Sequence, residues 1–347
     1  MDDIIILAIE TSCDETACAI VKNGNEILAN KVASQIDVHT LYGGVVPEVA
    51  SRIHIENISI IIKETLKAAD IRVEDVDAIA FTRGPGLIGS LHIGVLAAKT
   101  LAWAYNKPLI PVHHLTGHIY ANAFVRKLKF PLLALIVSGG HTELVLMKED
   151  YDFEVVGETL DDAIGEAYDK VGRVLNLPYP GGPKIDKLAK EGKPVYKLPL
   201  PKVDSPLDFS FSGLKSAVMQ AINRLKRNNQ QLSVEDMCAS FQKTALNALW
   251  QKTELALKTY KVRQFVLAGG VAANSQLREI VKEKMGKEYP DIDYIIPQLE
   301  YCTDNAAMIG ASAYIAYKKG IRADYGIGAS ASLDLNNIQV KKLLFSE

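Results

Sequence analysis

Cysteine is scarce in this chain: four among 347 residues, Cys13, Cys18, Cys238 and Cys302, with no Cys-x-x-Cys pair among them. That pattern excludes a disulfide framework and fits a reducing cytosol. Charge of one sign is lacking too, since 39 Lys and Arg stand against 41 Asp and Glu for a net charge of −2. The balance does not announce a nucleic-acid binder, although a local basic face would suffice for one. No apolar run approaches the ~20 residues that span a bilayer. The opening Met1-Asp2-Asp3 is acidic where a secretion signal would be basic. The expectation is a soluble cytoplasmic protein with no membrane contact. Apolar residues are abundant: at 48% they allow a core in each of two lobes of typical domain size.

The chemistry concentrates in Pro111-Val112-His113-His114-Leu115-Thr116-Gly117-His118, which gathers three of the seven histidines. Lys107 to Val112 reads as a short buried strand, and Ile119 to Val125 continues at helical period. A helix starting between them sets His114 and His118 four apart on one face, where two imidazoles can share a metal ion. The Glu that would follow the first histidine in a zinc protease is missing. Two imidazoles also leave a divalent ion short of ligands, so a carboxylate must come from elsewhere. Cys302-Thr303-Asp304-Asn305 offers one, although Asp304 behind a Thr303 N-cap also reads as an ordinary acid on a helix dipole.

The remaining pattern alternates strands, glycine turns and helices. Ile4 to Ile9 is a strand ending in Glu10-Thr11-Ser12-Cys13-Asp14-Glu15-Thr16, and Ala17 to Lys22 returns. Such a tip offers amides and hydroxyls to a phosphate, and Glu10, a carboxylate closing an apolar strand, needs a partner or a task. A strand Glu26 to Val32 follows, then a helix from Pro47 to about Lys67 with the apolar stripe Ile53, Ile58, Ile61, Ile62 and Leu66; His54 reads as a surface or cap residue. Ala78 to Thr82 enters Arg83-Gly84-Pro85-Gly86, which lacks the Gly-Lys-Ser/Thr ending of a P-loop, and a helix Leu91 to Tyr105. Leu132 to Val137, Ser138-Gly139-Gly140-His141-Thr142 and Glu143 to Met147 then repeat the strand, turn, strand plan of residues 4 to 22. A duplication of that plan would set two hairpins face to face across a cleft.

Glycines in the second hairpin turn let backbone amides approach a phosphate. Asp162, Glu166 and Asp169 fall on one face of a predicted helix ending near Leu177. Pro180-Gly181-Gly182-Pro183 breaks the chain before a short helix carrying Asp186, where glycine could admit a sugar or base. A proline-rich connection, Leu198 to Pro206, leads to Asp208-Phe209-Ser210-Phe211-Ser212-Gly213 and helices Ser212 to Arg227 and Val234 to Thr259. Arg224, Lys226 and Arg227 form a small basic cluster. A strand Gln264 to Ala268 enters Gly269-Gly270-Val271-Ala272-Ala273-Asn274 and a helix from Ser275, a pattern that fits nucleoside binding by backbone approach. The last major helix runs from Asn305 to Lys319.

His114-Leu115-Thr116-Gly117-His118, Val137-Ser138-Gly139-Gly140-His141-Thr142, Tyr179-Pro180-Gly181-Gly182-Pro183, Asp208-Phe209-Ser210-Phe211-Ser212-Gly213 and Cys302-Thr303-Asp304-Asn305 together resemble the bacterial-type tRNA N6-adenosine threonylcarbamoyltransferases, a family once labelled O-sialoglycoprotein endopeptidases. The likeness runs from Ile6 to about Gly328. It implies an α/β, two-lobed actin-like, sugar-kinase-like and heat-shock-ATPase-like fold with related lobes around a nucleotide cleft. The lobes are expected as residues 1–130 plus 304–347, and 131–303. It implies transfer of a threonylcarbamoyl group from threonylcarbamoyl-AMP to N6 of the adenosine beside the anticodon, in tRNAs reading codons that begin with A.

Carried over by matching motif, His114, His118 and Asp304 hold one divalent metal between the lobes, iron(II) with zinc as the alternative. Ile136, Val137, Ser138, Gly139, Gly140, Asp169, Gly182, Asp186 and Asn274 hold the adenylate. At Ile136 archaeal relatives carry a tyrosine, so a phenolate ligand is absent here. Glu10 or Asp14 is the expected acceptor of the amine proton. The resemblance further implies tRNA, a smaller paralogous subunit on the first lobe, a small ATPase subunit, and a separate enzyme that makes the adenylate. Three other readings compete: an actin-like-fold ATPase or kinase, a metalloprotease, and a scaffold using the long apolar helices.

Overall fold

The computed structural model describes residues 3–199 and 203–338. Part of the expected connection, residues 200–202, lies outside the described residues, as do 339–347 of the expected first lobe. The chain forms two compact units, one drawn from Met1–Leu128, Lys148–Glu154 and Glu300–Glu347, the other from Lys129–Met147 and Val155–Leu299.

The first unit is built on a sheet of β1 (Ile5–Glu10), β2 (Glu15–Lys22), β3 (Glu26–Ser34), β4 (Ala78–Gly84) and β5 (Leu109–His113), in the order β3-β2-β1-β4-β5. β1 pairs antiparallel with β2 and parallel with β4, and β4 pairs parallel with β5. Near-continuous apolar runs suit strands covered on both faces, and successive residues of β1 divide between them. Leu7 and Ile9 join Ile61, Val95 and Ala98 in one core, supplied by α2 (Pro47–Ala69) and α3 (Ile88–Ala104). On the other face α10 (Ala306–Lys318) lies so close that a Cβ on Gly310 would meet Val21 Cγ2 at 2.6 Å and Ala8 Cβ at 3.5 Å. A short α1 (Ile36–Tyr42), which the sequence reading did not contain, fills the link before α2. α4 (His114–Tyr120) follows β5 directly.

The second unit repeats the scheme. Its sheet, β6 (Leu132–Val137), β7 (Thr142–Met147), β8 (Glu154–Glu158), β9 (Gln264–Ala268) and β10 (Asp293–Ile295), has the order β10-β9-β6-β7-β8, with β6 antiparallel to β7 and parallel to β9. Each sheet therefore holds a hairpin flanked by two later parallel strands, which is the duplication read from the two strand, turn, strand segments. Helices α5 (Ile164–Val174), α6 (Gly181–Ala189), α7 (Ser212–Arg227), α8 (Val234–Thr259) and α9 (Ser275–Glu288) complete the unit. Among the described residues no helix is long and apolar enough to cross a membrane.

Two expectations are corrected. His54 is not a surface residue but fully buried, because its Nδ1 meets Thr16 Oγ1 at 2.7 Å and its Nε2 meets the Cys13 carbonyl at 2.9 Å. The acidic face of Asp162, Glu166 and Asp169 does not form, since α5 begins only at Ile164. Asp162 and Glu166 both pair with Lys170, at 2.6 and 2.9 Å, while Asp169 turns to the Gly181 amide at 2.7 Å. The helix starts late because Asp161 is engaged elsewhere: it accepts from the hydroxyls of Ser210 and Ser212 and from the amides of Phe211 and Ser212. Those bonds hold its carboxyl below the usual range against the upward push of burial.

Asp161 thereby ties the Asp208 to Gly213 segment, with its stacked Phe209 and Phe211 rings and the start of α7, to the turn ahead of α5. Asp161→Ala should cost about 2 kcal/mol, the order expected when charge-assisted bonds to a helix start are lost. Urea unfolding of the second unit reads this as a lowered midpoint; a midpoint like wild type would contradict the role.

Candidate functional site

The strand-to-helix junction at His113 positions the histidine pair. His113 Nδ1 accepts from the Leu115 amide at 3.1 Å and its Nε2 donates to the Leu333 carbonyl at 2.8 Å, so this imidazole serves as the cap of α4. His114 and His118 then stand one turn apart with ring centroids 4.7 Å from each other and planes at 86°. Both are buried. Gly117 sits between them against α10, where a Cβ would come within 2.9 Å of Ile309 Cδ1 and 3.1 Å of Met308 Cγ. The missing side chain lets α4 and α10 close on each other.

That closure delivers the carboxylate. The expected Thr303 N-cap is corrected: the cap of α10 is Asn305, whose Oδ1 accepts from the Met308 amide at 3.1 Å. Asp304 therefore lies outside the helix, and its Oδ1 is 3.1 Å from His118 Nε2 and 3.5 Å from His114 Nε2. The ligating atoms of His114, His118 and Asp304 all lie within 4.8 Å of one another. All three residues belong to the first unit.

The cluster fits a cation on two counts. Both ring nitrogens of His118 are buried without a hydrogen bond, so the 3.1 Å approach to Asp304 is close but misaligned for an N–H donor. A buried imidazole left in that state is costly, and a cation shared with Asp304 and His114 would satisfy the nitrogen that faces them. Second, two imidazoles and one carboxylate form a donor set suited to iron(II) or zinc with positions left open.

Glu10 stands behind His114. Its Oε2 accepts from Thr82 Oγ1 at 2.6 Å and meets His114 Nδ1 at 3.1 Å, while Oε1 accepts from the Ser12 amide. Ser12 Oγ is also 3.1 Å from that Nδ1. A proton held on Nδ1 by Glu10 leaves Nε2 as the ligating nitrogen. The expected proton acceptor Glu10 is thus 1% exposed, with both carboxylate oxygens engaged by protein groups. Asp14 is half-buried in the same turn, next to Glu15. Burial, then repulsion from Asp304 and Asp14, pushes the Glu15 carboxyl well above its usual range. The sequence reading did not single out Glu15, because nothing in its spacing marks it.

Burial would lift the Glu10 carboxyl, but the charge and hydrogen bond of His114 outweigh it and hold the group below its ordinary range. Burial likewise pushes His114 down, and the carboxylates of Asp304 and Glu10 reverse the effect, raising the imidazole to about 9.

The second unit carries a cavity of about 350 Å³, within the size range of small-ligand sites. Gly139, Asp169, Gly182, Asp186 and Asn274, five of the expected adenylate residues, line it together with Tyr168 and Tyr179. Ile136 and Val137 are not brought to it, being wholly buried in β6. Ser138 and Gly140 are not in its lining either: Ser138 closes the turn, its Oγ accepting from the His141 amide at 3.1 Å and its carbonyl from the Gly165 amide at 3.2 Å. Around Gly139 the space a Cβ would occupy is open, so a ligand can reach the backbone. Asp186 Oδ2 accepts from the Ser275 amide at 3.1 Å, and Asn274 Oδ1 caps α9 by accepting from the Leu277 amide at 2.9 Å. Tyr168 escaped the sequence reading because it sits at ordinary core spacing on α5.

Comparison with known proteins agrees with this geometry. Residues 26–311 match the family model described as tRNA N6-adenosine threonylcarbamoyltransferase. Relatives of the same description include one from Geobacillus kaustophilus, 56% identical over 335 residues that cover 96% of this chain and 98% of that protein. Another, from Bacillus cereus, is 55% identical over 332 residues, 95% of this chain and 96% of the relative. Among solved structures, T. kodakarensis HypF matches with a TM-score of 0.60 at 14% identity, over 94% of this chain and 49% of that one. Component A of the Acidaminococcus fermentans (R)-2-hydroxyglutaryl-CoA dehydratase gives a TM-score of 0.52 at 17% identity, over 92% of this chain and 100% of that one. These structural likenesses concern the fold alone, which is α/β and of the actin-like ATPase type.

Ligation needs a neutral imidazole, and the metal-free protein holds His114 protonated up to about pH 9. Binding of a divalent ion therefore expels a proton, so apparent affinity should rise about tenfold per pH unit between pH 7 and 8.5. Calorimetric titration of the metal-free protein with zinc in that range checks the slope. An affinity independent of pH would contradict His114 as a ligand.

Proposed function

The chain belongs to the tRNA N6-adenosine threonylcarbamoyltransferase family, and from that premise we propose that it moves the threonylcarbamoyl group of threonylcarbamoyl-AMP onto N6 of the adenosine beside the anticodon, in tRNAs reading codons that begin with A. The observation that carries the reading is the convergence of His114, His118 and Asp304, with His118 nitrogens that no protein group satisfies.

In this reaction the adenine N6 forms a bond to the carbamoyl carbon, the bond from that carbon to the phosphate oxygen breaks, AMP departs and N6 loses a proton. His114, His118 and Asp304 would hold iron(II) or zinc, which as a Lewis acid polarises the donor's oxygens. The cavity of the second unit takes the adenylate: Asp186 Oδ2, which accepts one protein bond, has lone-pair capacity left for a ribose hydroxyl. The open amide turn at Gly139 faces the charge of the leaving phosphate. Glu10 orients His114. Asp14, more accessible than Glu10, accepts the amine proton.

A tRNA substrate places the protein in the cytoplasm. The smaller paralogous subunit and the small ATPase subunit also belong to this reading, and Leu41, Leu96 and Trp103 of the first unit, 84%, 65% and 75% exposed, support a partner-covered surface there.

Single-turnover transfer to unmodified tRNA separates the two carboxylates. Asp14→Asn should slow the chemical step about 100-fold with metal content unchanged. Glu10→Gln should weaken metal affinity about tenfold while metal saturation restores most of the rate. Wild-type rates in Asp14→Asn would remove that residue from the mechanism.

A further inference from the structure

Gln242 lies on α8 and is 1% exposed. It does not line the cavity of the second unit, yet three residues that do, Tyr168, Asp186 and Asn274, converge on its amide. Its Oε1 accepts from the Tyr168 hydroxyl at 3.1 Å and from Asn274 Nδ2 at 2.8 Å. Its Nε2 donates to Asp186 Oδ1 at 3.1 Å and to Gln276 Oε1 at 3.0 Å. One side chain thus ties α5, α6 and α9 to α8, using both donors and both acceptor sites of the amide.

The direction of the bonds to Asn274 and Asp186 is dictated from outside the network. The Leu277 amide can only donate, so it fixes Asn274 Oδ1 as acceptor and leaves Nδ2 facing Gln242. A carboxylate can only accept, so Asp186 fixes the other end. Turning the Gln242 amide over would oppose NH₂ to NH₂ at Asn274 and oxygen to oxygen at Asp186. Gln242 and Ser275 Oγ, at 3.0 Å, together occupy Asp186 Oδ1, which leaves Oδ2 as the oxygen with capacity for a ligand.

We propose that Gln242 is the positioning residue of the nucleotide cavity: by holding Asp186 in one orientation and Asn274 in one amide state, it sets recognition of the sugar hydroxyls without touching the nucleotide. The inference rests on the adenylate reading of this cavity. It predicts a defect in sugar discrimination, whereas loosened packing would weaken all nucleotides alike.

The test is calorimetric binding of AMP and of 2′,3′-dideoxy-AMP to the full-length wild type, Gln242→Met and Gln242→Glu, with urea unfolding of the second unit, which holds Gln242, as the control for folding. Wild type should bind AMP more tightly than the dideoxy compound. Both variants should weaken AMP by about tenfold or more and the dideoxy compound far less, so that the preference collapses, and the KM for the acyl-adenylate should rise with kcat changed little. Variants whose second unit unfolds cooperatively yet that bind AMP like wild type, or that lose both nucleotides in parallel, would overturn the role of Gln242. Failure of wild type itself to bind AMP would bring down the adenylate reading and this inference with it.

Discussion

The approach of Asp304 to two imidazoles set edge to face is the contact from which the functional account follows. His114 and His118 are placed by a short helix, and the carboxylate by the start of a different helix almost two hundred residues later. What joins them is packing: Gly117 offers α10 a flat surface at the level of the histidines. The approach also carries a cost. Asp304 repels Glu15 and Glu10 and raises the thiol of Cys13, after burial and Asp14, and the His118 nitrogens are left unsatisfied. A buried collection of like charges and idle donors is unfavourable by itself. A divalent cation would turn the repulsion into attraction and take one of the two His118 nitrogens.

The two units show how one sheet plan serves two purposes. In the first, the strand end after β5 runs straight into the helix of His114 and His118, and the β1 to β2 turn places Glu10 and Ser12 against His114. In the second, the equivalent β6 to β7 turn is glycine-rich and open at Gly139, and the helices carry a hydrogen-bonded network instead of ligands. Imidazoles collect in one unit, whereas amides, phenols and the carboxylates of Asp169 and Asp186 line the cavity of the other. Each suits its share of an acyl transfer, electrophile activation on one side and nucleotide retention on the other.

Much of this was legible along the chain, and the limits have a physical pattern. α7, α8 and β9 were read with the bounds they have, because their apolar period and flanking breakers are local signals. The histidine pair was legible for the same reason, being four residues apart on one helix. Asp304 was legible as a donor but misread as part of its helix, since Thr-Asp-Asn offers three competing caps and the helix itself selects Asn305. Residues whose roles depend on distant partners were misread or missed. His54 is buried by Thr16, Asp161 is drawn off α5 by Ser210 and Ser212, and Gln242 gains its meaning from partners on three other elements. No periodicity records contacts across such separations.

The account turns on whether both imidazoles bind one ion. X-ray absorption at the metal edge of the purified, metal-loaded protein reports this directly. We expect the multiple-scattering signature of two imidazoles together with oxygen donors in the wild type, and that of a single imidazole in His118→Ala. A wild-type spectrum with no imidazole contribution, or one unchanged by the substitution, would contradict it.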